Sequence, residues 1–580
     1  MRTKRKEEYV MYLIPEVKST KKCEKFKIDG CTFEFGANID KRVINATKNI
    51  KNGKTNVKIN VSDEGKVEYK MTLSENSIEI EAKSQKGAFY AIQTLRQIIK
   101  NGTCDACEII DSPDFETRGF YYDITRGRIP TLDTLKELVD NLAYYKIDML
   151  QLYVEHVFPF KEYDGIYQRT GYMTPEETME LDKYCQENFI ELVPSLSCFG
   201  HLYELLESDK YKHLCELPDY KNSTIFWCER MAHHTIDPSN PESIELIKSL
   251  IDQYSPLFTS DKFNICCDET FDLGRGRNQG KDKGKIYVDF VKKVLDYVKS
   301  KGKKPMMWGD IIAEHSDLIA DLGEDILFLS WRYDANPDPK MIYKIRDAKK
   351  PQYVCPGLNN WTSLTELTHV SVPNITKMAE YGYSVGAKGI LTTCWGDYGH
   401  ISPIYACMYG LIYSAAKGWN VKCEYNNFDE AIDKHYYGYN GASKLVNQIS
   451  RIHRVNYWYN LVCDYSNELY SNDVMKSWNK PNPDDLNKAF YECEDIIPYL
   501  EATTWENEKA RKALLVVVQG IEYMISMLMS KITGEKLGVI FSYLEKWIKD
   551  YSEIYLQESK QGELKEFIKV IYALGKKYLK

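Results

Sequence analysis

Eight short apolar segments, most followed by an amphipathic helical pattern, run through the middle of this chain. No other feature restricts its possible folds as strongly. In order the segments are Gly119–Asp123, Met149–Val154, Glu191–Ser195, Phe263–Cys267, Lys304–Trp308, Ile326–Ser330, Gln352–Pro356 and Gly389–Thr393. After the first, Leu132, Leu135, Leu138, Val139 and Leu142 recur at helical spacing. After the second, Thr174-Pro175-Glu176-Glu177 forms a capping box with proline at the first helical position. Such alternation predicts a parallel α/β sheet, either an open doubly wound sheet or a closed (β/α)8 TIM barrel. Polar and aromatic residues collect at the C-terminal ends of the segments, where barrel enzymes keep their active sites, and this favours the barrel.

The flanks read differently, as expected for a 580-residue chain too long for one core. Residues 1–112 read as a small α/β domain, with strands Val57–Val61, Lys66–Leu73 and Ser77–Ala82 and a helix over Gly87–Ile99. A polar stretch, Asn101–Thr117, reads as the boundary before a catalytic barrel over 113–425. After it the strands stop. Asp429–Tyr437, Ala442–Cys463, Pro483–Glu501, Glu506–Met529 and Leu537–Gln557 predict a helical domain over 426–580.

Composition removes several function classes. The net charge is only −8 and no basic stripe is present, which argues against nucleic acid as a partner. Met1–Lys22 is basic but holds no apolar stretch long enough for a secretory signal. The most apolar run, Leu514–Met529, is interrupted by Gln519, Gly520 and Glu522 and falls short of a membrane span. The expectation is a cytoplasmic protein whose 16 cysteines are free thiols. Cys104 and Cys107 have C-x-x-C spacing, but no second pair answers them, so neither a metal nor another cofactor is expected. Aromatic residues make up 13% of the chain, which suits sugar binding as well as core packing. The oligomeric state is not readable.

The chemistry gathers at the segment ends. Phe263-Asn264-Ile265-Cys266-Cys267 delivers two adjacent carboxylates, Asp268 and Glu269, where the fourth strand should emerge. Arg118 precedes the first segment, and its fork could clamp two hydroxyls. Glu155 and His156 follow the second and Phe199-Gly200-His201 the third. Trp308-Gly309-Asp310 ends the fifth, Trp331-Arg332-Tyr333 the sixth, Trp361 follows the seventh, and Trp395-Gly396-Asp397 ends the eighth. Rings for the faces of a sugar and carboxylates for its hydroxyls describe a carbohydrate pocket. Any one tryptophan could equally pack barrel against helix, and His201 could be structural.

Arg118-Gly119-Phe120 with Asp123 and Arg126, Gly200-His201, Asp268-Glu269 and Trp395-Gly396-Asp397, in this order, resemble glycoside hydrolase family 20, the β-N-acetylhexosaminidases. Leu152-Tyr153-Val154-Glu155-His156 and Asp268-Glu269-Thr270-Phe271-Asp272-Leu273-Gly274 resemble its signal-less bacterial branch. The resemblance spans roughly residues 30–420 and implies an exo-acting, retaining enzyme that removes terminal β-linked GlcNAc, with GalNAc as a second sugar. The family is an exception to the two-carboxylate scheme, because the 2-acetamido oxygen of the substrate is the nucleophile. It implies that Glu269 is the general acid and base, with a raised pKa. Asp268 would orient the acetamido group, and Arg118 and Asp397 would hold the outer hydroxyls. Glu155, His201, Trp308, Trp331, Tyr333, Trp361 and Trp395 complete the expected substrate-binding set.

Three departures stand out. Asn264-Ile265-Cys266-Cys267 replaces the family's His-x-Gly-Gly, Asp397 replaces a longer glutamate, and no Trp-Tyr pair lies near Trp361, so Tyr333 is the candidate for the acetamido-binding tyrosine. Three rival readings stay open: a glycosidase pairing Glu269 with Glu155 or Asp310, a catalytically inactive sugar-binding barrel, and, weakest, a metal-dependent barrel hydrolase, for which no histidine pair sits at ligand spacing near a strand end.

Overall fold

The structure, a computed structural model, describes residues 11–218, 226–231, 234–466 and 482–580. The N-terminal strands are β1 (Ser19–Phe26), β2 (Cys31–Phe35), β3 (Thr55–Val61), β4 (Tyr69–Leu73), β5 (Ser77–Ala82) and β6 (Cys104–Asp111), in the sheet order β1-β6-β4-β5-β3-β2. Along β5, Ile78, Ile80 and Ala82 are buried while Ser77, Glu79 and Glu81 face solvent, the period of a half-covered strand. The helix Gln85–Asn101 covers the buried face. Ser84 caps its start by accepting the Gly87 N–H, and Gly102 ends it at φ +83°.

Part of the stretch read as a polar boundary is in fact β6, which pairs with both β1 and β4. Its acidic residues hid the alternation of the buried Cys104, Ala106, Ile109 and Asp111. The lysine-rich edge strand β1, almost wholly exposed, was missed for a similar reason: edge strands are commonly blunted with charge.

The eight central segments form a closed parallel barrel. Its strands are β7 (Thr117–Asp123), β8 (Met149–Val154), β9 (Glu191–Leu196), β10 (Lys262–Asn264), β11 (Lys304–Trp308), β12 (Leu327–Trp331), β13 (Gln352–Cys355) and β14 (Gly389–Cys394), with β14 pairing back onto β7. Only the fourth is markedly shorter than its sequence pattern. Cys266 and Cys267 sit at φ +57° and +63°, which side chains rarely adopt and a regular strand cannot hold. Bonds from Ile265 N to Met306 O (2.9 Å) and from Trp308 N to Cys266 O (3.1 Å) keep the segment beside β11. Tyr121, Met149, Val193, Cys266, Met306, Trp308 and Leu329 fill the barrel interior.

Helices follow the barrel. The predicted segment Ala442–Cys463 is two helices, Ala442–Ile452 and Tyr457–Ser466, broken where the His453 ring bonds Ser363 Oγ of the barrel at 2.9 Å. A last helix, Leu564–Tyr578, was not foreseen. The apolar helix Glu508–Thr533 is mostly buried within this region. The C-terminal helices also grip the barrel face on which the strands end. Arg128 Nη1 lies 3.0 Å from Glu558, Tyr555 Oη donates to Gly127 O at 2.6 Å, and Tyr551 Oη donates to Ile401 O at 2.7 Å.

Candidate active site

The site lies where the barrel strands end, and the backbone there is strained. Eight residues other than glycine stand at positive φ on this face: His201, Cys266, Cys267, Glu269, Asn359, Thr362, Tyr398 and His400. Such conformations cost free energy and persist where the fold holds side chains for a task. Gly200 is required by proximity, since a Cβ there would meet Asp268 O at 2.7 Å.

The centre is a group of three. His201 Nε2 lies 3.5 Å from Asp268 Oδ2 and 3.4 Å from Glu269 Oε2. The Glu269 side chain is 25% exposed and Asp268 is 11% exposed, so both carboxylates border the opening. The Oδ1 atom of Asp268 is buried with no hydrogen-bond partner among the described residues. A buried acceptor left unpaired costs about 1–3 kcal/mol, and a ligand N–H would satisfy it.

Behind His201 stands Arg126, whose Nη2 lies 3.1 Å from Nδ1. Burial alone would lower the His201 pKa, but Asp268 and Glu269 outweigh it and push the value up to about 10. The acid pair thus favours the imidazolium, whereas the Arg126 N–H favours a neutral ring with its proton on Nε2. In either form Nε2–H faces the carboxylates. These three side chains are the one group of metal-ligating type close enough to share an ion among the described residues. The fixed charge of Arg126 beside the imidazole opposes a cation there.

Arg126 is the hub of the pocket wall. It reaches Asp397 at 2.8 Å, Glu155 at 3.3 Å and Asp123 at 3.6 Å, and its guanidinium lies 5.4 Å from the Trp395 ring. Asp123 ties the ends of β7 and β14 together by accepting N–H bonds from Thr125, Arg126 and Gly396. Burial pushes its pKa up to about 6 against the pull of Arg126. Burial also raises Asp397, again opposed by Arg126 and helped by Glu269.

Arg118 does not belong to this site. It is the second residue of β7, at the opposite end of the barrel, and is 1% exposed. It donates to Asp148 (2.6 Å), Tyr90 Oη (2.8 Å), Phe115 O (2.7 Å) and Lys146 O (2.9 Å), joining the barrel floor to the N-terminal domain. The arginine at the pocket is Arg126, which stands in the same motif. Strand polarity was the signal: a residue preceding a barrel strand lies at the floor, and one following it lies at the mouth.

Glu155 is also displaced from a substrate-binding role. It is 2% exposed and lies behind Arg126, accepting from Tyr153 Oη at 2.8 Å. Burial works to raise its pKa, but Arg126 and His156 hold it well below the usual carboxylate range.

The aromatic residues form two connected groups. Trp308 and Trp395 lie 5.8 Å apart, each about 5 Å from Tyr121. Trp331 stacks on Tyr333 (5.0 Å, 22°), which meets Trp361 at 5.2 Å. Trp395 Nε1 donates to Tyr333 Oη at 2.8 Å and joins the groups. Cys266 and Cys267 do not crowd the acids. Cys266 points into the barrel, 3.4 Å from Ser195 Oγ, and Cys267 packs outward. Burial raises the Cys266 thiol to about 12, so it stays protonated.

The model of the glycosyl hydrolase family 20 catalytic domain matches residues 115–347, and that of the family's domain 2 matches 29–112, together more than half of the chain. The chain belongs to glycosyl hydrolase family 20. Among curated relatives of this family 20 chain is a β-hexosaminidase of Porphyromonas gingivalis, 24% identical over 46% of this chain, although the chain spans only 37% of that relative's length. Among solved structures, a Flavobacterium johnsoniae chitobiase aligns over 97% of this chain and 98% of its own (TM-score 0.60, 17% identity). A Vibrio harveyi family 20 exo-β-N-acetylglucosaminidase, solved with N-acetylglucosamine, aligns over 73% of this chain and 76% of its own (TM-score 0.58, 18% identity). At these identities the two structures establish the family 20 fold.

Proposed function

We propose that this chain is an exo-acting, retaining β-N-acetylhexosaminidase that removes terminal β-linked GlcNAc and GalNAc by substrate-assisted catalysis. The observation that carries the reading is the buried Oδ1 of Asp268, unpaired among the described residues, beside a half-open Glu269, in a pocket walled by tryptophan. Asp268 accepts the acetamido N–H of the substrate. The acetamido oxygen then attacks the anomeric carbon as the bond to the leaving oxygen breaks, and Glu269 gives that oxygen its proton. Asp268 offsets the positive charge of the cyclic intermediate. Glu269 next takes a proton from water, which opens the ring at the anomeric carbon, and two inversions give net retention.

Arg126 and Asp397 bind the outer hydroxyls. Support for two epimers comes from the short Asp397 side chain, already engaged by Arg126 at 2.8 Å. Against a two-carboxylate mechanism stands the placing of the candidates: Glu155 is closed off behind Arg126, and Asp310 bonds the backbone of Glu269 itself. Among the described residues none of the cysteines forms a disulfide, which supports a reducing, cytoplasmic setting.

Aryl glycosides carrying mono-, di- and trifluoroacetamido groups test the nucleophile. Rates should fall steadily as fluorine withdraws electron density from the amide oxygen. Equal rates across the series would overturn the assisted mechanism.

A further inference from the structure

Glu269 stands at φ +47°, a backbone conformation unusual for a long side chain. Nothing in its own sequence favours that turn, so a neighbour must hold it. The Glu269 N–H donates to Asp310 Oδ2 at 3.0 Å. Asp310 opens the helix Asp310–Glu314 directly after β11, and bonds from Trp308 N to Cys266 O (3.1 Å) and from Gly309 N to Leu329 O (2.9 Å) fix that position. The other carboxyl oxygen, Oδ1, is buried without a hydrogen-bond partner among the described residues.

We propose that Asp310 is the positioning residue of the acid/base, holding the Glu269 peptide in its left-handed turn so that the Glu269 carboxyl faces the pocket beside Asp268. The inference rests on the proposed function, because it assigns a support to the group that transfers the proton there.

The surroundings agree with this role. Asp268 and Glu269 face Asp310 from the loop after β10. The Cys267 thiol lies on the same segment, and the Tyr287 phenol comes from the helix Lys283–Ser300. His201 faces the acid pair from the loop after β9. Burial and then the negative charge of Asp268 push the Asp310 pKa up to about 8. A protonated Asp310 accepts the Glu269 N–H through Oδ2 without adding a third negative charge beside Asp268 and Glu269. That separates it from Asp268, which borders the opening.

The test compares Asp310→Ala and Asp310→Asn with the wild type on an aryl β-N-acetylglucosaminide. Asparagine keeps a carbonyl acceptor for the Glu269 N–H, and alanine removes it. Alanine should lower kcat about 30-fold or more with KM changed less than about threefold, while asparagine stays within about fivefold of wild type. Alanine within threefold of wild type, or asparagine falling as far as alanine, would overturn the assignment. Absence of turnover by the wild type would instead count against the proposed function. In that event crystal structures of the two variants decide the positioning. Glu269 should keep a positive φ with asparagine and lose it with alanine, and a positive φ retained in the alanine variant rejects the role.

Discussion

Arg126 Nη1 and Asp397 Oδ1 stand 2.8 Å apart where β14 closes onto β7, a cation from the end of the first barrel strand paired with a carboxylate from the end of the last. The pair sits at the mouth, whereas Arg118 lies eight residues earlier in the chain, at the floor. Substitutions at the two arginines should therefore separate. Arg126→Lys keeps the charge but loses the fork, and kcat/KM should fall about 100-fold or more. Arg118→Lys should leave KM within about twofold while costing about 2–4 kcal/mol of stability, because buried acceptors lose their donors. Kinetics and thermal melts of both variants check this.

Tyr333 accepts the indole N–H of Trp395 and so fixes one aromatic group against the other. Tyr333→Phe removes the acceptor and leaves that N–H to find another. We expect KM for the aryl N-acetylglucosaminide to rise about five- to thirtyfold, since an unpaired buried donor costs about 1–2 kcal/mol. Substrate saturation curves read this directly.

Glu366 supplies a pH dependence independent of catalysis. It is fully buried and its carboxyl accepts from Gly410 N (3.0 Å) and Ser371 Oγ (2.8 Å). Burial raises its pKa from 4.5 to about 8 against those two bonds. A raised carboxyl pKa means that the folded state holds a proton the unfolded chain has already released. Stability from this group is therefore present below about pH 4.5 and is lost as pH rises toward about 8. Glu366→Gln should remove that loss and be more stable than wild type by about 2 kcal/mol or more at pH 8, with little difference at pH 4.5. Denaturant melts at the two pH values make the comparison.

The C-terminal helices brace the mouth through Arg128 and Glu558, both buried. Glu558→Ala leaves Arg128 without its carboxylate in the interior and should cost about 3–5 kcal/mol. Glu558→Gln keeps an acceptor and should cost less. Urea unfolding of the two variants tests the ordering.

The barrel strands were legible because strands buried on both sides read as short apolar runs. The edge strand β1 and the acidic β6 were not, since their exposed residues carry charge that resembles a linker. The helix Leu564–Tyr578 lay beyond the last pattern read, and the break at His453 depends on a contact with Ser363, 90 residues away in sequence. Within the site, the acid pair, His201, the tryptophans and Asp397 were visible as strand-end residues. Arg118 and Arg126 share one motif, and only the direction of the strand between them separates the floor residue from the mouth residue. In the sequence Asp310 shows only as one more carboxylate at a strand end. Its bond to the Glu269 backbone depends on the positive φ of that residue, which no sequence pattern announces.

The most direct test of the central claim is release of nitrophenol from the β-N-acetylglucosaminide, the β-N-acetylgalactosaminide and the plain β-glucoside, by wild type and by Glu269→Gln. Substrate-assisted catalysis predicts hydrolysis of both acetamido sugars, none of the glucoside, and a fall of about 1,000-fold in the variant. Hydrolysis of the glucoside at a similar rate would contradict it, because that sugar has no acetamido group to attack its own anomeric carbon.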